Sequence, residues 1–388
     1  MKMLDNRLSG PFTDTQTAQP IRRGPVDSWL LGAVLLLILS GELFVLNTTY
    51  FYAFDRFDDP YLFVRKHNLA LVIGCLGCLV ALALPSTVFR TLTYPALIGA
   101  FISLCLVLLP GFSHGNVQRW LSFGGLNFQP SEFAKGAVVL YLAYALAKKA
   151  DRLHSFVYGL LPLLLVVGCV VVLIALEPDL GGAVFISLLL AAVLFVAGAR
   201  GRHLAVLVGV GLLCLSYGVL SAEYRTDRFL TFLDQSADLQ GEGYQLNQSR
   251  LAFGAGGVSG VGLGESRQKM FYLPEAHTDF IFAVIGEEIG LWGTTGIVLL
   301  FGLFGARGLR VASYHPTQFG RLLAFGCTFS IVCQAGINMA VVVGLLPITG
   351  LPLPFVSYGG SALVISLFCT GMLLRLSREV QPREGAHA

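Results

Sequence analysis

Charge is what this chain lacks. Of 388 residues only 13% are Asp, Glu, Lys or Arg while 55% are hydrophobic, and that balance excludes an ordinary water-soluble domain. The net charge of +3 is too small to suggest nucleic acid as a partner. Nucleotide and hydrolase signatures are missing as well. The chain has no Walker A loop, no G-x-G-x-x-G, no H-E-x-x-H and no G-x-S-x-G elbow, which disfavours ATP-driven transport and serine hydrolysis. Its eight cysteines all sit inside apolar runs; Cys75-x-x-Cys78 has a redox or zinc spacing but no partner pair, so packing accounts for it.

Apolar windows of about 18–20 residues recur along the chain, the mark of an all-α, polytopic integral membrane protein. Ten spans are predicted, at 29–50, 68–85, 92–109, 131–147, 157–175, 181–198, 203–220, 279–304, 321–344 and 356–375. Residues 1–28 are polar and read as a disordered cytoplasmic tail; the apolar run from Trp29 starts too late and runs too long for a simple cleaved signal peptide. Residues 29–376 form the membrane domain, and 377–388 a second cytoplasmic tail. An even number of spans puts both ends on one side. Sixteen lysines and arginines, among them Arg22, Arg23, Arg200, Arg307 and Arg378, fall on the tails and loops of that side, against Arg56, Arg65, Lys66 and Arg119 in the short loops opposite. The positive-inside rule then makes both termini cytoplasmic. Between spans 7 and 8 lies a large extracytoplasmic loop, 221–278, far longer than a connector requires.

Four strings carry polar residues at the edges of apolar runs. Pro274-Glu275-Ala276-His277-Thr278-Asp279-Phe280 places a carboxylate where water meets hydrocarbon, which is costly unless the group is used or paired. Asp279 can be a functional acid or a helix cap; His277 can be a ligand, a base or a hydrogen-bonded structural residue. Glu287 and Glu288 follow two turns along; on one helix Glu287 would lie roughly 12 Å deeper than Asp279, too far for a paired-carboxylate site, and pairing with a buried cation or backbone is the alternative. In Gln129-Pro130-Ser131-Glu132-Phe133-Ala134-Lys135, proline marks a helix entrance and Ser131 a cap. Glu132 and Lys135 share a face and can neutralise each other, or Lys135 can meet an anionic ligand. Glu177-Pro178-Asp179-Leu180-Gly181 is a tight turn with two acids at an apolar hairpin tip, and Leu353 to Ser361 enters the last span with small residues that permit close packing.

Together these strings resemble the SEDS family of peptidoglycan glycosyltransferases, which includes FtsW, RodA and SpoVE. The resemblance covers about 29–376 and rests on four ordered motifs: Gln118-Arg119-Trp120 with Phe128 to Glu132; Glu177 to Gly181; Pro274 to Phe280; and Val356-Ser357-Tyr358-Gly359-Gly360-Ser361. Pro-Glu-Ala-His-Thr-Asp looks like the division-type FtsW and SpoVE, whereas Leu351-Pro352-Leu353-Pro354 looks more like RodA; the FtsW side is favoured. The resemblance implies polymerisation of lipid II into glycan strands at the outer face of the bacterial inner membrane. It implies Asp279 as the catalytic residue. It also implies Trp120, Arg225, Arg228 and Lys269 as matches to family positions, and as partners a class B penicillin-binding protein and other membrane proteins of the divisome or elongasome.

Inverting transfer of this kind needs a base for the acceptor hydroxyl, cations for the departing pyrophosphate, and apolar grooves for two polyprenyl tails. Asp279 suits the first task. Arg119, Arg225, Arg228 and Lys269 suit the second, as does a divalent cation, Mg2+ or Mn2+; no organic cofactor is expected. Glu132, Lys135 and His277 complete the candidate binding residues. Two rival readings are a lipid II flippase, with its working charges at Glu132, Lys135, Glu287 and Glu288, and a non-catalytic scaffold.

Overall fold

Every predicted apolar segment is helical in the computed structural model, which describes residues 24–112, 119–123, 126–150, 153, 155–221, 223–233 and 242–380. In chain order the helices are α1 (Ser28–Phe57), α2 (Leu62–Ala83), α3 (Ser86–Leu108), α4 (Pro130–Lys148), α5 (Leu161–Leu176), α6 (Leu180–Val196), α7 (Gly201–Leu220), α8 (Glu223–Leu233), α9 (Glu242–Gly256), α10 (Ile281–Glu288), α11 (Gly290–Tyr314), α12 (Gln318–Val343) and α13 (Gly360–Ser377). A small antiparallel hairpin, β1 (Leu121–Phe123) and β2 (Leu126–Phe128), precedes α4. A π-helical turn, Phe156–Leu160, leads into α5.

Among the described residues eight helices are long and apolar enough to cross a membrane: α1, α2, α3, the 156–176 helix, α7, α11, α12 and α13. The two remaining predicted spans are α4, made less apolar by Glu132 and Lys135, and α6, with 17 residues. Both occupy the centre. α4 packs on α3, α12, α13 and α6, so almost its whole circumference is buried. A helix enclosed by others does not need a lipid-facing composition, and a buried ion pair is tolerated there if its partners are close. At the opposite extreme α7 buries no residue and sits at the rim, packed mainly on α6 and α8. Leucines such as Leu35, Leu39 and Leu213 stand exposed, as expected of surfaces that meet lipid rather than water.

Two expectations are corrected, and the long loop proves to be structured. The predicted span 279–304 is two helices, because the chain turns at Gly290 (φ +70°) between α10 and α11. A Cβ at Gly290 would lie 2.5 Å from Gly260 N and 2.7 Å from Val258 O, so the loop packs into the break and only glycine fits. The last helix begins at Gly360 rather than 356, leaving Leu351 to Gly359 as an irregular segment inside the bundle. The 221–278 loop contains α8 and α9, and α9 packs on α10 and α12 with Ser249 Oγ donating to Val342 O at 2.6 Å.

The two ends of the bundle differ. At one end the two limits of the described chain meet: Gly24 N donates to Arg378 O (2.8 Å), and Arg307 grips both oxygens of Asp27 (2.6–3.1 Å). Residues 24–27 of the expected tail are therefore held against α11 and α13, while 1–23 and 381–388 lie outside the described residues. The four sequence motifs gather at the other end.

Candidate functional site at the motif end

Buried backbone at helix ends must find partners, and at this end the motif residues supply them. Pro130 occupies the first turn of α4 and Gln129 is its cap position, with no side-chain cap. Ser131, expected as a cap, instead donates to Asp179 Oδ2 at 3.1 Å. Asp179 accepts Gly182 N at 2.9 Å through its other oxygen and so caps α6. The first and second motifs are thereby joined. The first and fourth meet where Gln129 N donates to Ser361 Oγ (3.0 Å) and that hydroxyl donates to Asn127 O (3.3 Å). The fourth and third meet where Tyr358 N donates to His277 O at 2.9 Å.

The string around Asp279 is a compact turn, not the start of a long helix. Thr278 N and Phe280 N both donate to Glu275 O (3.2 Å), and Thr278 Oγ1 donates to Glu275 Oε2 (2.7 Å). The cap position of α10 falls on Phe280, one residue after Asp279, and has no side-chain cap. Asp279 is half-buried. Its carbonyl accepts Asn338 Nδ2 at 2.8 Å, and Gly350, in the left-handed region, lies beside its carboxylate, where a Cβ would make ordinary contact with Asp279 Oδ2 at 3.7 Å. The preceding residue of that segment, Thr349, abuts Gly181, so the second motif reaches within a residue of the Asp279 neighbourhood.

His277 stacks among Tyr52, Phe63 and Tyr358, with ring centroids 5.3–5.7 Å apart. Burial lowers its pKa, with Glu275 acting in the opposite sense, so the imidazole is neutral at neutral pH. Tyr358 also lies beside His67 (6.0 Å), whose Nε2 is 3.3 Å from Glu42 Oε1. Glu177 is fully buried, and neither carboxylate oxygen has a hydrogen-bond partner among the described residues. Burial and the nearby Asp179 push its carboxyl up to about 8 against the pull of Arg119.

Several predicted binding residues are engaged within the protein. Arg119 donates through Nε to Glu177 O (3.1 Å) and through Nη2 to Pro178 O, clamping its loop to the α5–α6 turn. Lys135 binds Glu132 Oε1 (2.6 Å) and Gln334 Oε1 (2.8 Å) deep in the bundle. Lys269 points inward to Glu288 Oε1 (2.9 Å), Asn47 Oδ1 (2.7 Å) and Gly264 O (2.5 Å). Glu287 accepts Ser266 Oγ and the backbone N–H groups of Arg267 and Gln268, so the two glutamates hold the 264–269 loop. Arg225 donates to Gly218 O (3.1 Å) at the junction of α7 and α8. Trp120 is half-buried beside Arg119. The side chain of Arg228 lies outside the described residues.

Sequence reasoning passed over Gln334 and Asn338 on α12. Their signal was present: two amides four residues apart, hence on one face, within an apolar span.

An enclosed bundle of apolar helices with a polar cluster at one end defines a multi-pass membrane protein. The chain belongs to the FtsW/RodA/SpoVE family: the family model, described as "Cell cycle protein", matches residues 28–382. The probable peptidoglycan glycosyltransferase FtsW of Geobacter metallireducens is 40% identical over 357 residues, covering 92% of this chain and 95% of the relative. Stage V sporulation protein E of Bacillus subtilis is 39% identical, covering 91% and 97%. Among solved structures, a chain from a peptidoglycan synthase complex coordinating polymerization and crosslinking matches with TM-score 0.74 and 30% identity, covering 91% of this chain and 98% of that one. The rod shape determining protein RodA of Thermus thermophilus matches with TM-score 0.68 and 29% identity, covering 92% and 98%. The expected family and its helical architecture are borne out.

Proposed function

We propose that this chain is a peptidoglycan glycosyltransferase that polymerises lipid II, with Asp279 as general base. The acceptor 4-hydroxyl attacks the anomeric carbon of the donor, the bond from that carbon to the pyrophosphate breaks, and undecaprenyl pyrophosphate departs with its electron pair. Asp279 takes the hydroxyl proton. A pyrophosphate needs no strong acid to leave, so one carboxylate suffices at the reacting centre. The observation that carries this reading is the hydrogen-bonded linkage of all four motifs into one cluster that contains the Asp279 turn, in a chain of this family.

The charge distribution supports an outer-facing site: the motif end lies opposite the arginine-rich end where the two limits of the described chain meet. In this reading the membrane domain crosses the inner membrane ten times, with α4 and α6 as the enclosed crossings. Residues 1–28 and 377–388 are cytoplasmic, and 221–278 is extracytoplasmic. Among the described residues no three His, Cys, Asp or Glu side chains gather as a metal site, so no step is routed through a resident divalent cation. The likeness to a peptidoglycan synthase complex supports a class B penicillin-binding protein as partner. The rival flippase reading needs free charges inside the bundle, and Glu132, in the first turn of α4, is neutralised by Lys135 one turn on.

The test is gel analysis of lipid II incubated with the purified protein and its cognate partner. Wild type is expected to build glycan chains and Asp279→Asn to build none while remaining folded and inserted. Near-normal polymer from Asp279→Asn would remove the base assignment.

A further inference from the structure

We infer that Gln334 and Asn338 are positioning residues that set Asp279 for catalysis by holding its main chain and the 350–352 segment in one frame. The inference rests on the base reading of Asp279. Both amides are almost wholly buried, at 4% and 2% exposure, on the same face of α12. Asn338 Nδ2 donates to two carbonyls at once, Asp279 O and Leu351 O, each at 2.8 Å. Both partners are acceptors only, so the nitrogen and not the oxygen of the amide must face them. One turn earlier Gln334 Nε2 donates to Pro352 O (2.9 Å), while its Oε1 accepts Lys135 Nζ (2.8 Å). The buried ion pair on α4 is thus linked through Gln334 to Pro352 O, and the adjoining Leu351 O through Asn338 to the backbone of Asp279.

Two features go beyond what packing alone requires. Asn338 Oδ1 is buried with no hydrogen-bond partner among the described residues. An unpaired acceptor is costly in the interior, and an apolar side chain would avoid that cost if only the helix contact mattered. Neither Asp279 nor Leu351 to Gly359 belongs to a regular helix, so no backbone ladder fixes them. Their register relative to each other rests on the main-chain bond from Tyr358 N to His277 O and on side-chain ties, among which Asn338 reaches both Asp279 and Leu351. A base must hold its oxygen within hydrogen-bond reach of the attacking hydroxyl, and misplacement by about 1 Å costs on the order of 100-fold in rate.

The experiment measures kcat and KM for lipid II polymerisation by the purified full-length protein with its partner. Asn338→Ala and Gln334→Met are compared with wild type and Asp279→Asn, with folding checked by gel filtration and thermal unfolding. Asn338→Ala is expected to lower kcat about 10–100-fold with KM within about twofold, because the base is misplaced while substrate contacts remain. Gln334→Met, which leaves both Asn338 bonds in place, should lower kcat less. If Asn338→Ala is not recovered folded, Asn338→Ser, whose hydroxyl can donate to one of the two carbonyls, takes its place under the same criteria. A folded Asn338 variant with wild-type kcat, alongside an inactive Asp279→Asn, would overturn the positioning role and leave the base assignment standing. Polymer from Asp279→Asn would instead remove the base assignment, and this inference with it.

Discussion

Replacing Lys269 by methionine separates two roles for a cation that family resemblance assigns to the substrate. An ammonium has three protons, and Lys269 has three acceptors in place: Asn47 Oδ1, Gly264 O and Glu288 Oε1. Nothing remains for a phosphate oxygen while that arrangement stands. Glu288 is as fully engaged, accepting Asn47 Nδ2 (2.5 Å) and Ser266 N (3.3 Å) in addition, and the two side chains are 1% and 0% exposed. Methionine has nearly the length of lysine, so packing changes little and the loss is electrostatic. Removing one partner of a buried pair leaves the other charge uncompensated and costs about 3–5 kcal/mol. Glu288→Gln alone strands the ammonium in the same way. Together the two substitutions leave neutral groups, so the double variant should be more stable than the sum of the singles by about 1–3 kcal/mol. The assay is unfolding of purified variants in detergent, followed by tryptophan fluorescence, with lipid II kinetics alongside. A Lys269→Met protein that unfolds like wild type yet shows a tenfold higher KM would refute the reasoning and put the ammonium on the substrate.

Two further outcomes follow from the α5–α6 turn. With its pKa raised from 4.5 to about 8, Glu177 binds its proton more tightly in the folded protein than in the unfolded chain, so stability falls as pH rises from about 4.5 to 8 and is level above. His277, whose pKa burial lowers, contributes the opposite slope below its ordinary value, and comparison with Glu177→Gln cancels that contribution. The unfolding temperature at pH 8 minus that at pH 5 should be more positive for Glu177→Gln than for wild type; an equal value would show that the carboxyl does not titrate there. Gly181→Ala should cost about 1–3 kcal/mol and slow polymerisation, because its methyl group would overlap Thr349 O and drive the segment next to Asp279 aside. Gly168→Ala on α5, with open space around its Cβ, should instead be neutral or stabilising by about 0.5–1 kcal/mol in the same unfolding assay.

Much of the architecture was legible because hydropathy reports the solvent of a helix. All ten apolar segments are helices, and the four motifs, scattered over more than two hundred residues, meet at one end. Where the reading slipped, tertiary contact decided. The break at Gly290 exists because Gly260 and Val258 press against it, and a span with one glycine in it gives no local sign of that. Ser131 looked like a cap because it follows a proline at a helix entrance, but Asp179 from another turn lies within reach and takes its hydroxyl. The internal acceptors of Arg119 and Lys269 were not legible either, because a cation in a polar loop does not announce them: carbonyls take Arg119, and Glu288 with Asn47 and Gly264 O takes Lys269. Gln334 and Asn338 were hidden by the apolar run around them, although a polar side chain inside a span is itself a signal.

The division of labour at the motif end follows from the cost of irregular backbone in a low-dielectric bundle. Short helices, a broken span and the 350–359 segment expose carbonyl and amide groups that lipid cannot satisfy. Arg119, Gln129, Asn338, Gln334, Ser361 and Tyr358 each answer one or more of those groups directly. Asp179 answers Gly182 N, and the Glu132–Lys135 pair feeds the same network through Gln334. The residues that act through side chains, such as Arg119, Ser361 and Asp179, are thus committed to the frame, and substituting them is expected to lower activity whether or not they touch substrate. Loss of activity alone cannot identify a binding residue here. Only residues whose replacement raises KM without lowering the unfolding temperature can be assigned to lipid II, and Trp120, half-buried in the loop that Arg119 clamps, is the first to measure.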